Sequence, residues 1–213
     1  MIRFFYAVGL ICLLMGTVTH ADKSLEVDPE LRARLAERMA QTYDDTDQFD
    51  AEVWLRVSDQ RLQRYVKNQV ERLELLRLVY QEAKRNGLDP DLVLSVMHIE
   101  SHFDRYAISR VGAQGLMQVM PFWRLEIGRP QDNLTHVETN IRYGTVILAH
   151  YIDVAKEDLV DALARYNGSR GRLKYPEKVI GVWRKSWRNK PREELPRLEA
   201  SCINYSLKAC RYR

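Results

Sequence analysis

Residues 92–121 read LVLSVMHIESHFDRYAISRVGAQGLMQVMP and put one carboxylate, Glu100, at the far end of an almost wholly apolar segment. Asp89-Pro90 supplies a helix cap followed by proline at the first helical position. Leu92, Val93, Leu94, Val96, Met97 and Ile99 then run round the whole helix, so the spacing predicts a helix buried on all sides, with Glu100 in its last turn. Burial disfavours an ionised carboxylate, and so does the negative end of the helix dipole. Both push the Glu100 pKa upward, which suits a general acid working near neutral pH. The competing reading of the residue alone is an exposed glutamate at a frayed helix end. The segment that follows is a turn with paired glycines, Gly112 and Gly115, then an apolar run holding a lone amide, Gln118. A glutamine buried in such a run must be hydrogen-bonded.

Glu100-Ser101, Ser109, Gly112-Ala113, Gly115 through Pro121, Asn140-Ile141 with Gly144, and Arg165-Tyr166-Asn167-Gly168 occur in that order. This set resembles the signature of the lytic transglycosylases with a goose-type-lysozyme-like catalytic domain, over roughly residues 70–188. The resemblance implies an all-α, lysozyme-like fold and cleavage of the β-1,4 bond between N-acetylmuramic acid and N-acetylglucosamine in peptidoglycan. It implies that Glu100 is the catalytic residue, acting first as acid and then as base. Ser109, Gln118, Met120, Tyr166, Asn167 and Tyr175 are then expected along the glycan groove. The serine would help polarise the sugar's N-acetyl group, and Tyr166 would contact the glutamate or the sugar. No metal or other cofactor is implied, and peptidoglycan glycan strands are the expected partner of a monomer. Two departures stand out. Asp104 occupies a place where the family usually has Asn; it either caps the loop or raises the Glu100 pKa further by its charge, and it is not assigned as a nucleophile. Asn167-Gly168-Ser169 replaces the common Asn-Ala-Gly, which bears on loop geometry rather than on chemistry.

Other chemistries compete for the same residues. His98 and His102 stand four apart on one helical face, as zinc ligands do. The metalloprotease order is H-E-x-x-H, however, whereas Glu100 lies two residues after His98, about 200° round a helix of 3.6 residues per turn. His98 is therefore expected to pack inside and His102 to lie on the rim. A hydrolytic muramidase on the same fold and a catalytically silent wall-binding or secretion-assembly module are the remaining alternatives.

Around these residues the chain reads as helices with no strand pattern. The 213 residues suit one domain and a little more; 46% are apolar and 29% charged, ordinary for a soluble globular protein. Net charge is +4, and +3 without residues 1–21, too weak a balance to argue for nucleic acid. Arg3, the apolar run 4–18 and Thr19-His20-Ala21 read as a secretory signal, the run being shorter than the roughly 20 residues that span a bilayer. The expected compartment is therefore periplasmic, with contact to a membrane or to secretion or division machinery left open. Cys202 and Cys210 would then pair as a disulfide in an oxidising compartment.

The spacing further predicts an N-terminal extension over 22–50 with a short helix near 30–41. Helical periodicity runs from Ala51 to Asn86, with Leu62, Val66, Val70, Leu73, Leu76, Tyr80 and Ala83 as core. A short helix should end at Gly128, and a capping box, Thr135 with Glu138, should open the helix carrying Asn140, Ile141 and Gly144. A helix over 159–166 should stop at Asn167-Gly168, and a last helix should start at Tyr175-Pro176. The catalytic domain is thus expected over 51–188, followed by a proline-punctuated tail over 189–213.

Overall fold

The computed structural model describes residues 51–188 throughout, the backbone of 48–50, and, before them, only Pro29, Arg32, Ala33, Ala36 and Glu37. The signal reading, most of the N-terminal extension and the Cys202–Cys210 pair lie outside the described residues. Those residues form seven α-helices: α1 Gln48–Leu62, α2 Gln69–Arg85, α3 Pro90–Ser101, α4 Trp123–Ile127, α5 Val137–Val154, α6 Leu159–Tyr166 and α7 Lys174–Val182. A π-helical turn, Trp183–Trp187, continues α7. The all-α expectation holds, apart from two single antiparallel bridges, Ile108 with Gln114 and Gln114 with Val119, in the long loop after α3.

The centre of the fold is α3. The Asp89 carboxylate accepts the Asp91 amide at 2.8 Å, satisfying one of the free N–H groups at its start. Seven successive residues, 91 to 97, are buried, as a helix apolar on every side requires. It packs against α2, α7 and the π-helical turn. The indole Nε1 of Trp54 on α1 donates to Asp91 Oδ1 at 2.7 Å and fixes the α3 start from a fourth direction. The helix is thus clamped along its length while its C-terminal turn stays at the edge of the packing.

Two helical expectations need correction. The periodic run from 51 to 86 is interrupted at residues 63–68, where Asn68 caps α2 through its side chain. The interruption resets the helical phase, leaving Val70 76% exposed and Leu73 half-buried. The inward face of α2 keeps the expected Leu76, Tyr80 and Ala83 and adds Leu75 and Val79. The break is stitched by buried Arg72, which pairs with Asp59 and donates to the Val66 carbonyl at 2.9 Å. Second, Thr135 does not cap α5. Its hydroxyl and amide both bind Asn133 Oδ1, at 2.8 and 2.9 Å, and His136 takes the cap position without a side-chain bond. Asn133 closes a local turn first, which removes Thr135 from the helix.

Candidate active site

The last turn of α3 ends in a sharp reversal. His102 (φ 53°) and Phe103 (φ 67°) are both left-handed, a costly conformation for residues with a Cβ. Packing holds it there: Phe103 is 7% exposed, with its ring 5.1 Å from Tyr65 and 5.3 Å from Trp187. The reversal leaves the Glu100 carboxyl facing α7, where the Tyr175 hydroxyl donates to Glu100 Oε1 at 2.6 Å. Burial raises the Glu100 pKa from 4.5 to about 7, opposed in part by the Tyr175 bond. Burial and the nearby Glu100 in turn push the Tyr175 hydroxyl well above its ordinary value, so it stays a donor. Asp104 takes the loop-capping alternative: exposed, it accepts the Tyr106 amide at 2.9 Å and does not raise Glu100.

The loop after α3 is held by polar staples. Ser109 closes it through its amide to the Ala113 carbonyl (2.9 Å) and through its Oγ, which accepts the Ala113 amide (3.0 Å). Its hydroxyl donates to no group among the described residues. Gln118, at φ 49°, donates Nε2 to the carbonyls of Ala107 and Gly115, each at 3.1 Å. Its amide therefore holds the loop while Oε1 remains as an acceptor, so the structural and groove-lining readings coexist. Ser101 ties the helix end to the loop, donating to the Leu116 carbonyl at 2.8 Å.

The largest staple is Asn140 on α5, 1% exposed. Its Oδ1 accepts the Met117 amide at 2.8 Å, and its Nδ2 donates to the carbonyls of Gln114 and Leu134 at 2.8 and 2.7 Å. Glycines permit this closeness. A Cβ on Gly115 would lie 2.4 Å from Asn140 Nδ2, and one on Gly144 2.4 Å from Met117 Sδ.

A cleft of about 220 Å³ opens beside Glu100. Ser109, Gln118, Met120, Tyr166 and Asn167 all border it, as do Trp123 and Ile147, which the sequence reading did not single out. Glu100 is the sole carboxylic acid on its lining among the described residues. The two tyrosine hydroxyls have different partners. Tyr166 borders the cleft, but its hydroxyl donates to the Met117 carbonyl at 2.8 Å. Tyr175, expected only at the groove's border, is the one bonded to the glutamate. Trp123 and Ile147 gave no sequence signal distinguishing them from core residues. Asn140 did give one, as an amide amid apolar helix positions.

The histidines are engaged elsewhere. His98 Nδ1 accepts from Trp187 Nε1 at 3.2 Å, and His98 Nε2 meets the Tyr65 hydroxyl at 3.2 Å. Burial, then His102 and Arg64, hold its pKa below the ordinary value. His102 is exposed, as expected.

Comparison with known proteins places this geometry in context. Residues 77–180 match the family model described as Transglycosylase SLT domain. The chain is 38% identical over 99 residues to the membrane-bound lytic murein transglycosylase C of Glaesserella parasuis, covering 42% of this chain and 27% of that protein. To the protein of that name from Actinobacillus pleuropneumoniae it is 37% identical over 101 residues, covering 43% and 28%. The chain thus spans less than a third of the length of these curated relatives. Among solved structures, an inactive mutant of the lytic transglycosylase Slt from Pseudomonas aeruginosa aligns at 28% identity with a TM-score of 0.39, covering 53% of this chain and 18% of that one.

Proposed function

We propose, from the match of residues 77–180 to the family model described as Transglycosylase SLT domain, that this chain is a peptidoglycan lytic transglycosylase with Glu100 as its single acid and base. The observation that carries the reading is a carboxyl with a pKa near 7, alone of its kind on a cleft otherwise lined by hydroxyl, amide and apolar groups. A glycosidase that relies on two carboxylates needs a partner acid within about 5–10 Å, and the cleft lining offers none among the described residues.

In the proposed reaction, neutral Glu100 gives its proton to the oxygen linking muramic acid C1 to the next N-acetylglucosamine. The C1–O bond breaks, and positive charge develops at C1. The Glu100 carboxylate then takes the proton from the 6-hydroxyl of the same muramic acid, whose oxygen attacks C1. A 1,6-anhydro ring forms, the leaving sugar keeps its new hydroxyl, Glu100 is neutral again, and no water is consumed. A pKa near the working pH serves both steps, since neither the acid nor the base form is then scarce. The Tyr175 hydroxyl stabilises the carboxylate between the two transfers. Ser109, whose hydroxyl donates to no group among the described residues, would bond the N-acetyl oxygen that shields C1. Gln118 Oε1, Met120 and Asn167 would line the bound strand.

The reading extends to location. The 1–21 signal and a periplasmic site of action are part of the proposal, and among the described residues no helix is long and apolar enough to cross a membrane. Incubating the purified chain with sacculi and weighing the released muropeptides tests the activity. Anhydro-muramic ends are expected. Reducing muramic ends would make the chain a hydrolytic muramidase, and no release at all would favour a binding module.

A further inference from the structure

The loop over residues 168–174 reads Gly-Ser-Arg-Gly-Arg-Leu-Lys, three cations and no acid in seven residues. Both of its ends are fixed at the cleft. Asn167, just before it, lines the cleft, and Tyr175, just after it, bonds Glu100 at 2.6 Å. Leu173 packs the loop against the core, while its two glycines face open space. Gly168 (φ 68°) and Gly171 (φ 86°) turn it, and a Cβ on either would meet nothing within 4 Å. The Ser169 amide bonds the Ala164 carbonyl at 2.7 Å, and the Arg172 amide bonds the Ser169 carbonyl at 2.9 Å, so the loop is a defined double turn on the end of α6.

Arg170, Arg172 and Lys174 are all exposed. Asp161 lies 3.6 Å from Arg170 and also holds Arg165, so Arg170 is partly neutralised. Arg172 and Lys174 form no ion pair among the described residues. The acidic neighbours in the chain are Asp161 on α6 and exposed Glu177 on α7. The loop carrying Ser109 and Val111, which border the cleft, holds a further exposed cation, Arg110. Glu100, the sole acid on the cleft lining among the described residues, offsets at most one of these charges. Among the described residues, Arg172 and Lys174 thus leave exposed, unpaired positive charge on the segment between Asn167 and Tyr175, and it plays no part in the proposed cleavage.

We infer that Arg172 and Lys174 form a specificity rim that recognises the carboxylates of the peptide stems on the muramic acid being cleaved. The inference rests on the proposed activity. A neutral glycan needs no cations beside its cleft, whereas stem carboxylates project from the same muramic residues whose C1 must reach Glu100. Exposed cations here raise the encounter rate with anionic strands and favour stem-bearing registers, an effect that salt screens over about 8–10 Å.

The test compares the full chain with its R172Q/K174Q variant on two preparations of the same glycan. One bears its stems; the other has lost them to an amidase, which leaves only the lactyl carboxylate. On stem-bearing strands at low salt the variant's kcat/KM is expected to fall about five- to tenfold, the order given by two exposed charge contacts. On stripped strands it changes less than about twofold, and raising the salt erases the wild-type preference. Equal loss on both preparations, or no loss on either, overturns the rim. If wild type turns over neither preparation, the proposed activity fails on its own. Co-sedimentation with the two preparations then decides the rim: selective loss of the variant from stem-bearing strands supports it, and equal retention overturns it.

Discussion

Replacing Tyr175 with Phe isolates the one side-chain hydrogen bond that, among the described residues, reaches the candidate acid. The 2.6 Å bond to Glu100 Oε1 favours the ionised carboxyl over the neutral one. A hydrogen bond to a charged group contributes about 1.5–3 kcal/mol and one between neutral groups about 0.5–1.5 kcal/mol, so removal disfavours the carboxylate by about 1 kcal/mol net. At about 1.4 kcal/mol per pKa unit, the Glu100 pKa should climb from about 7 to near 8. The sign follows from the proposed chemistry: its first step needs Glu100 protonated, so activity should fall on the alkaline side as that proton is lost. The assay is kcat/KM against pH on glycan strands, which reports the free enzyme. The alkaline limb of Y175F should shift upward by roughly one pH unit. Tyr166→Phe is the control, because its hydroxyl is bonded to the Met117 carbonyl instead, and its limb should stay in place. A Y175F limb that stays put or moves toward acid would refute the reasoning.

Four further outcomes follow from the same geometry. Because the folded Glu100 pKa lies above 4.5, its contribution to stability is complete below pH 4.5 and lost as pH rises through about 7. E100Q should therefore match wild type in urea unfolding at pH 4 yet exceed it by up to about 3 kcal/mol at pH 8, with turnover abolished; equal stability at both pH values would contradict the burial. Asn140→Ala leaves the Met117 amide and Leu134 carbonyl without their buried partner and should cost about 2–4 kcal/mol by urea unfolding; a loss under about 1 kcal/mol would mean Asn140 is not the staple. Gly144→Ala, whose Cβ would press on Met117, should destabilise by about 1–3 kcal/mol despite alanine's better helix propensity. Gly181→Ala on α7, with open space around it, should instead gain up to about 1 kcal/mol in thermal or urea unfolding.

Local signals made much of this architecture legible. Asp89-Pro90 marked the start of α3, seven buried residues bore out its all-round apolar pattern, and Asn167-Gly168 marked the end of α6. Glu100 stood out because a carboxylate at the end of such a helix contradicts its surroundings. What failed depended on competition between neighbours or on distance in the chain. Thr135 carried a capping pattern that Asn133 pre-empted two residues earlier. Val70 kept the spacing of a continuous helix that Asn68 had already restarted in another phase. The roles of Tyr166 and Tyr175 could not be separated in sequence, because their partners lie 49 and 75 residues away and either hydroxyl suits either acceptor.

The account stands or falls on the protonation of one side chain. Labelling the full-length protein with δ-¹³C glutamate, assigning the Glu100 carboxyl resonance by its loss in E100Q, and following its shift from pH 3 to pH 9 reads that state directly. A midpoint near 7 is the expected result. A midpoint at 4.5, the ordinary value, would mean the carboxyl is ionised before any sugar arrives, leaving no proton to give.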